Sequence, residues 1–474
     1  MTQDPRALLQ RHFGYPGFRP GQEELVRAVL GGRDALGVLP TGGGKSVCYQ
    51  VPALALRGLT LVVTPLVSLM QDQVRRALEV GLRGAFMSAT QSAGERRATL
   101  SRARDRALDV LFVAPERLEL DAFQEELKSL DVRLLAVDEA HCISEWGHEF
   151  RPSYRRIGLL RGFLACPTLA LTATATPDVR TDILASLELR DPLVEVRSFD
   201  RPNLSWTVRR TDSFHDRIRE TYRLLAHRPG PAIVYAPTRG TVEHVRDRLA
   251  GFGIAAQAYH AGLSGTQRTA VQEMFMAGGC RVVVATNAFG MGIDKSDVRT
   301  VVHVSLPATL EAYYQEAGRA GRDGRDSECV AFYSMADLRR ASDMIRAAHP
   351  PRGVLRKALR RLGRRAVDFS APEPGAAGVM EALHRAGAIE RSPEPIRGTG
   401  PHSEGFQDIW VYVDHRVDVS PLLFRRAVVL SKLRAVRRFA RTRGCRRGAL
   451  LRYFGERAPG RCGRCDRCRR TLSF

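Results

Sequence analysis

Short apolar runs of strand length recur through the first two thirds of the chain, each closed by polar or glycine-rich residues and followed by a stretch with helical spacing. Asp34–Leu39, Leu59–Val63, Val110–Val113, Leu134–Val137 and Leu169–Leu171 form a first series; Ala232–Tyr235, Ile254–Tyr259, Arg281–Ala285 and Val301–Val304 form a second. Runs that stay apolar instead of alternating predict strands covered on both faces, and their alternation with helices predicts parallel, doubly wound sheets. Chemistry is then expected where the strands end, because ligands of such sheets bind at the carboxyl edge.

The pattern changes beyond the second series. Val354, Leu355, Ala358, Leu359 and Leu362 mark one helix, and Val379, Met380, Leu383 and Ala386, closed by Gly387, mark another. Strand-like Ala388–Arg391 and Ile409–Val413 flank a loop rich in Pro and Gly, so helices followed by a ribbon give a winged-helix outline. A long helix is predicted from Leu422 to Arg443, with Val429, Leu433, Val436 and Ala440 on one stripe. The fold class is thus α/β: two parallel-sheet domains at 1–198 and 199–346, joined by the linker Phe199–Leu204. A small inserted winged-helix-like region at 347–420 and a helical module at 421–474 complete the chain.

Charge adds a partner. The formal net charge is +22, and 29 Lys and Arg against 11 Asp and Glu lie from Arg346 onward, a net of +18 that leaves only +4 for the rest. Such an excess implies a polyanion, nucleic acid first and an anionic membrane surface second, against the C-terminal third. The absence of an apolar run long enough to span a bilayer, and of a signal-peptide core in MTQDPRALLQRHFG, predicts a soluble cytoplasmic protein without a membrane partner. The nine cysteines are then expected to be reduced.

Candidate chemistry follows two of the first-series strands. Asp138 and Glu139 come directly after Leu134–Val137, where an aspartate can hold magnesium and a glutamate can orient or deprotonate water. Thr41, Gly42, Gly43, Gly44, Lys45 and Ser46 follow Asp34–Leu39 and match the P-T-G-x-G-K-[ST] form of a phosphate loop, with the lysine for phosphate and the serine for magnesium. Leu39 stands where the stricter G-x-x-x-x-G-K-[ST] pattern has its first glycine. After the acids, Trp146, Phe150 and Tyr154 interleave with His148, Arg151, Arg155 and Arg156, the mixture of rings and cations to which unstacked bases and phosphates bind. Cys445, Cys462, Cys465 and Cys468 have C-x16-C-x2-C-x2-C spacing, which predicts a four-thiolate zinc site. The other five cysteines have no ligand spacing.

The ordered series FRPGQEE, TGGGKS, TPLVSLMQDQV, DEAHCISEWGHEFRPSY, TATAT, FGMGIDK and YYQEAGRAGRDG, running from Phe13 to Arg340, resembles the RecQ family of superfamily 2 DNA helicases. The resemblance implies two RecA-like domains that clamp ATP and magnesium and couple hydrolysis to 3′–5′ movement on single-stranded DNA, unwinding duplex or branched substrates. It implies that Tyr15 and Arg19 sandwich adenine, that Gln22 bonds its edge, and that Asp294 joins the nucleotide site. Arg319 and Arg322, with Gln315 nearby, would approach the γ-phosphate from the second domain. It also implies a monomer at the nucleoid, with single-strand-binding or repair proteins as partners. An RNA helicase, or an annealing protein that uses ATP as a switch, are the alternatives. The family order puts the zinc module directly after the second domain and a winged helix after that; here about seventy residues intervene before the zinc module.

Overall fold

The computed structural model describes residues 4–65, 67–290, 295–362, 376–391, 410–412, 417–458 and 460–469. These fall into two compact units, one made of Met1–Phe332 with Phe439–Phe474, the other of Tyr333–Arg438.

The first unit holds two sheets. Strands β1 (Ala35–Val38), β2 (Leu59–Val63), β3 (Gly84–Met87), β4 (Val110–Val113), β5 (Val132–Val137), β6 (Thr168–Thr172) and β7 (Leu193–Val196) lie in the order β3-β4-β2-β5-β6-β1-β7, with every pair parallel. Each residue of β1, β2, β4 and β6 is buried, as apolar runs covered on both faces require. Sequence periodicity passed over β3 and β7. Both are edge strands of only four residues, too short to show a period of their own.

Strands β8 (Leu204–Arg210), β9 (Ala232–Tyr235), β10 (Ala256–Tyr259), β11 (Val282–Ala285), β12 (Thr300–His303) and β13 (Ser327–Tyr333) build the second sheet in the order β10-β11-β9-β12-β13-β8. The ladders linking β10 through β13 are parallel. Between β5 and β1 lies only β6, so the turns after β1, β5 and β6 emerge side by side at one edge. That adjacency brings the phosphate loop, the paired acids and the TATAT segment together.

In the second unit the helices Met335–Ala348, Arg352–Leu362 and Ala376–Arg385 accompany an antiparallel ribbon of β14 (Ile389–Arg391) and β15 (Trp410–Tyr412). Leu355, Met380, Ala382, Leu383, Ala388 and Ile389 form its core. Helices and ribbon therefore follow one another as the pattern predicts; Ile409, Val413 and the loop between the strands lie outside the described residues. The helix Met335–Ala348 belongs to this unit, not to the second sheet. A Cβ on Gly378 would stand 2.1 Å from the Ala347 carbonyl oxygen, so the absence of a side chain lets two helices touch. The predicted long helix is Ser420–Arg441. No helix among the described residues is long and apolar enough to cross a membrane.

Candidate active site

The loop between β1 and the helix Val47–Ala55 turns through Gly42 and Gly44 at φ 81° and 69°, a region that only glycine enters cheaply. Gln22 braces it. Its side-chain Nε2 donates to the carbonyls of Gly43 (2.9 Å) and Gly44 (3.0 Å), while its Oε1 accepts the Arg19 N–H at 2.9 Å. Arg19 itself donates to the Gly42 carbonyl. Gln22 and Arg19 thus hold the loop in this structure, in addition to lining the cavity described below. The Ser46 hydroxyl makes no capping bond to the helix it precedes, and Thr41 Oγ1 is buried without a hydrogen-bond partner. Both suit a ligand in the loop.

Lys45 Nζ donates to Glu139 Oε1 at 2.9 Å. Glu139 has a positive φ of 46°, an unusual backbone for a non-glycine residue, and its N–H donates to Asp138 Oδ1 at 2.9 Å. Gln73 Nε2 donates to Asp138 Oδ2 at 3.1 Å. Burial and the Glu139 charge raise the Asp138 carboxyl above its ordinary range. Burial pushes Glu139 the same way, but the charges of Lys45 and His141 outweigh it and hold Glu139 well below the usual carboxylate range. Lys45 is depressed by burial and more than restored by the two acids, so its ammonium persists.

The second sheet supplies the opposite wall. Gln315 lies on the helix Leu310–Ala317, and Arg319 and Arg322 follow in the turn after it. A cavity of about 780 Å³ is lined by Lys45, Ser46, Asp138, Glu139, Arg319 and Arg322, with Tyr15, Arg19, Gln22, Gln73 and Gln315 around them. Arg322 passes so close to the phosphate loop that a Cβ on Gly42 would be 3.3 Å from its Cδ. Arg319 is buried and donates to the Gly290 carbonyl. Asp294 lies outside the described residues. Sequence reading gave no role to Gln73, although the TPLVSLMQDQV motif that contains it was visible.

The aromatic segment divides by burial. Trp146 is 38% exposed, and Phe150 is half-buried with the Arg155 guanidinium 5.5 Å from its ring centre. Arg151 reaches back to donate to the Pro65 carbonyl at 2.9 Å. Tyr154 corrects the sequence reading: it is 0% exposed and its hydroxyl donates to the Asp138 carbonyl at 3.0 Å. A ring with no exposed face cannot stack on a base, so Tyr154 holds the acid-bearing turn instead. His148 is also mostly covered, its ring stacked on His141 with centroids 4.6 Å apart.

The thiols of Cys445, Cys462, Cys465 and Cys468 all lie within 4.8 Å of one another. Backbone N–H groups point at the sulfurs: Arg446 to Cys465 at 3.3 Å, Cys462 to Cys468 at 3.3 Å, and Gly448 to Cys445 at 3.4 Å. N–H donors aimed at sulfur favour thiolates, and four converging thiolates suit a tetrahedral soft-metal site. Arg446, wholly buried, ties the cluster's two halves together through Asp466. Cys48, Cys142, Cys166, Cys280 and Cys329 are buried and unbridged. Cys142 does converge with His141 and Glu149, but His141 Nδ1 is already engaged 2.9 Å from Thr172 Oγ1.

Residues 19–183 match the DEAD/DEAH box helicase family, 216–324 the helicase conserved C-terminal domain, and 423–469 the RecQ zinc-binding family. The probable ATP-dependent DNA helicase RecS of Bacillus subtilis is 40% identical over 341 residues, which cover 71% of this chain and 68% of that protein. The chain belongs to the RecQ family of helicases. ATP-dependent DNA helicase RecQ of Pasteurella multocida is 44% identical over 338 residues, but these make up 53% of its length; the chain spans about half of that RecQ protein. The fold also resembles the Mycobacterium smegmatis helicase Lhr solved with ssDNA and AMP-PNP, at a TM-score of 0.56 and 22% identity, covering 80% of this chain and 55% of Lhr.

Proposed function

We propose that this protein is an ATP-dependent DNA helicase that hydrolyses ATP and moves 3′–5′ along single-stranded DNA, unwinding duplex or branched substrates. The observation that carries the reading is the convergence, in one cavity, of Lys45, Glu139 and Asp138 from the first sheet with Arg319 and Arg322 from the second. The names of the family members, ATP-dependent DNA helicases, point the same way.

In this reading Lys45 leaves Glu139 for the β and γ phosphates, and Glu139 is released to orient the attacking water. Tyr15 and Arg19 flank the base, and Gln22 and Asp294 complete the nucleotide contacts. Arg319 and Arg322 meet the charge that develops on the γ-phosphoryl group, with Gln315 beside them, which ties hydrolysis to closure of the cleft. Ser46 and Asp138 would hold magnesium, which when bound neutralises phosphate charge. Trp146, Phe150 and Arg151 contact DNA. Cys445, Cys462, Cys465 and Cys468 would hold zinc, which when bound cross-links the last segment. The segment with helices and ribbon acts as a winged helix placed ahead of the zinc module, and the protein works as a cytoplasmic monomer on nucleoid DNA.

A strand-displacement assay on 3′-tailed, 5′-tailed and forked DNA duplexes, and on matched RNA, tests this. Displacement of the 3′-tailed and forked DNA with ATP, but not with a non-hydrolysable analogue, is expected. Displacement of RNA alone, or annealing without ATP turnover, would overturn it.

A further inference from the structure

The linker Phe199–Leu204 reads in sequence as a connector, yet its side chains are committed. Arg201 sends Nη1 to the Gly318 carbonyl at 3.0 Å and Nη2 to the carbonyls of Ala320 (2.8 Å) and Gly321 (3.0 Å). Asn203 Nδ2 donates to the same Gly321 carbonyl at 2.8 Å and to that of Arg325 at 3.0 Å. These carbonyls lie just past the end of the helix Leu310–Ala317, where the regular ladder has run out and acceptors need partners from elsewhere. The Gly318 and Ala320 carbonyls bracket Arg319, and those of Gly321 and Arg325 bracket Arg322. A planar guanidinium with a fixed fork of donors fastens three of them at once, which a flexible ammonium does less well. Gly321, at φ 55°, has no room for a Cβ, which would stand 2.5 Å from Asn203 Nδ2.

The linker is in turn gripped by the cysteine-bearing segment. The Glu456 carboxylate accepts hydrogen bonds from Ser198 Oγ at 2.7 Å and from the Phe199 N–H. Arg447 pairs with Asp200 through two hydrogen bonds. The rings of Phe199 and Phe454 stack with centroids 4.3 Å apart and planes 7° from parallel. Tyr314, on the helix that leads into the arginine turn, donates its hydroxyl to the Phe199 carbonyl at 2.7 Å and sets its ring edge-on to Phe454.

We propose that Arg201 is a positioning residue for ATP hydrolysis, holding the turn that carries Arg319 and Arg322, and that Glu456 and Phe454 set the linker from which Arg201 reaches. This rests on the helicase reading above, because it gives Arg201 a role only if the two arginines meet the γ-phosphate. Neither Arg201 nor Glu456 lines the nucleotide cavity. Their loss therefore alters turnover without altering nucleotide binding.

The test measures DNA-stimulated kcat, affinity for a fluorescent ATP analogue, and bound zinc in the full chain. Arg201→Ala is expected to lower kcat by about 10²-fold, the scale of a small misplacement of catalytic groups, with nucleotide affinity held within about two-fold. Arg201→Lys should recover part of the loss. Glu456→Ala, which leaves the Arg201 fork intact, should lower kcat by roughly ten-fold with zinc content unchanged. The deciding measurement is a double-variant cycle: if Arg201 acts through the arginine turn, Arg201→Ala adds no more than about two-fold in an Arg319→Ala, Arg322→Ala background. Multiplying penalties, an unchanged kcat in Arg201→Ala, or affinity and kcat falling together would overturn the inference. A wild-type protein that hydrolyses no ATP sinks the helicase reading and this one with it. Normal wild-type hydrolysis with equally active variants sinks this one alone.

Discussion

At Lys45 and Glu139 two opposite charges meet where little water reaches them, with side chains 17% and 19% exposed. Removing either partner leaves the other's charge uncompensated. Lys45→Ala is expected to abolish ATP hydrolysis, a fall of 10²-fold or more by analogy with the loss of other electrostatic groups of active sites (~10²–10³-fold), while DNA affinity stays within a few-fold. Steady-state ATPase assays beside DNA-binding titrations check this, and retained hydrolysis would remove Lys45 from the chemistry. Gly37 gives a stability counterpart in β1. A Cβ there would stand 2.6 Å from Leu25 Cδ1 and 2.8 Å from Leu171 Cδ2, so Gly37→Ala should destabilise the first unit by about 1–3 kcal/mol through overpacking, read from chemical denaturation. Local sequence was enough to find Lys45, Asp138 and Glu139, because strand, turn and acid or lysine are adjacent in the chain. It was not enough for Tyr154, where spacing alone cannot tell a ring that faces solvent from one turned inward onto Asp138.

Elements differ in how they answer to conditions. The aromatic segment begins only a few residues after Glu139 and keeps Trp146 at the surface, so Trp146→Ala should lower DNA-stimulated ATPase more than basal ATPase. Parallel loss of both rates would make the segment a structural one. In the second unit, burial and then Arg385, Arg425 and Arg426 push the His349 imidazole down to about 4, against 6.5 ordinarily. Between those values the unfolded chain takes up a proton that the fold refuses. Stability from this residue is complete above pH 6.5 and is lost as pH falls toward 4, by about 1–2 kcal/mol once solvent screening is allowed for. Melting curves from pH 7 to 4.5 should fall less steeply for His349→Gln than for wild type; identical slopes would count against the shift. The cysteine segment has few apolar residues besides Leu450, Leu451 and Phe454 to bury. Cys465→Ser should therefore lose stoichiometric zinc and loosen the last segment while both sheets stay folded, as zinc assay and hydrogen exchange would reveal.

Over the whole molecule, charge is partitioned: 29 of the 73 Lys and Arg residues lie from Arg346 onward against only 11 acids. If that third meets the DNA backbone at six or more phosphates, affinity should drop by about 10³-fold or more between 50 and 200 mM salt. A titration series whose log–log slope is near zero would argue against a phosphate interface. The same partition of charge along the chain placed the polyanion against the C-terminal third without saying which face it meets, since a sequence records where charges fall and not where they point.

Although β8 and β13 of the second sheet were not legible from sequence, most strands of both sheets, the phosphate loop, the paired acids and the four cysteines were. Each rests on contacts or spacings short enough to leave a local mark: an apolar run for a strand covered on both faces, a glycine-rich turn for phosphate, two-residue gaps for a shared ion. β3 and β7 left a weaker mark because four residues are too few to show a period, and β8 and β13 because polar and charged residues such as Ser205, Arg209, Arg210, Ser327 and Glu328 interrupt their apolar runs. Only the tertiary structure brought Gln73 to Asp138, turned Tyr154 inward, and joined Glu456, Phe199 and Arg201 to the turn of Arg319 and Arg322. Those contacts link residues up to 257 positions apart, and hydrogen-bonding groups so distant impose no period on the chain between them.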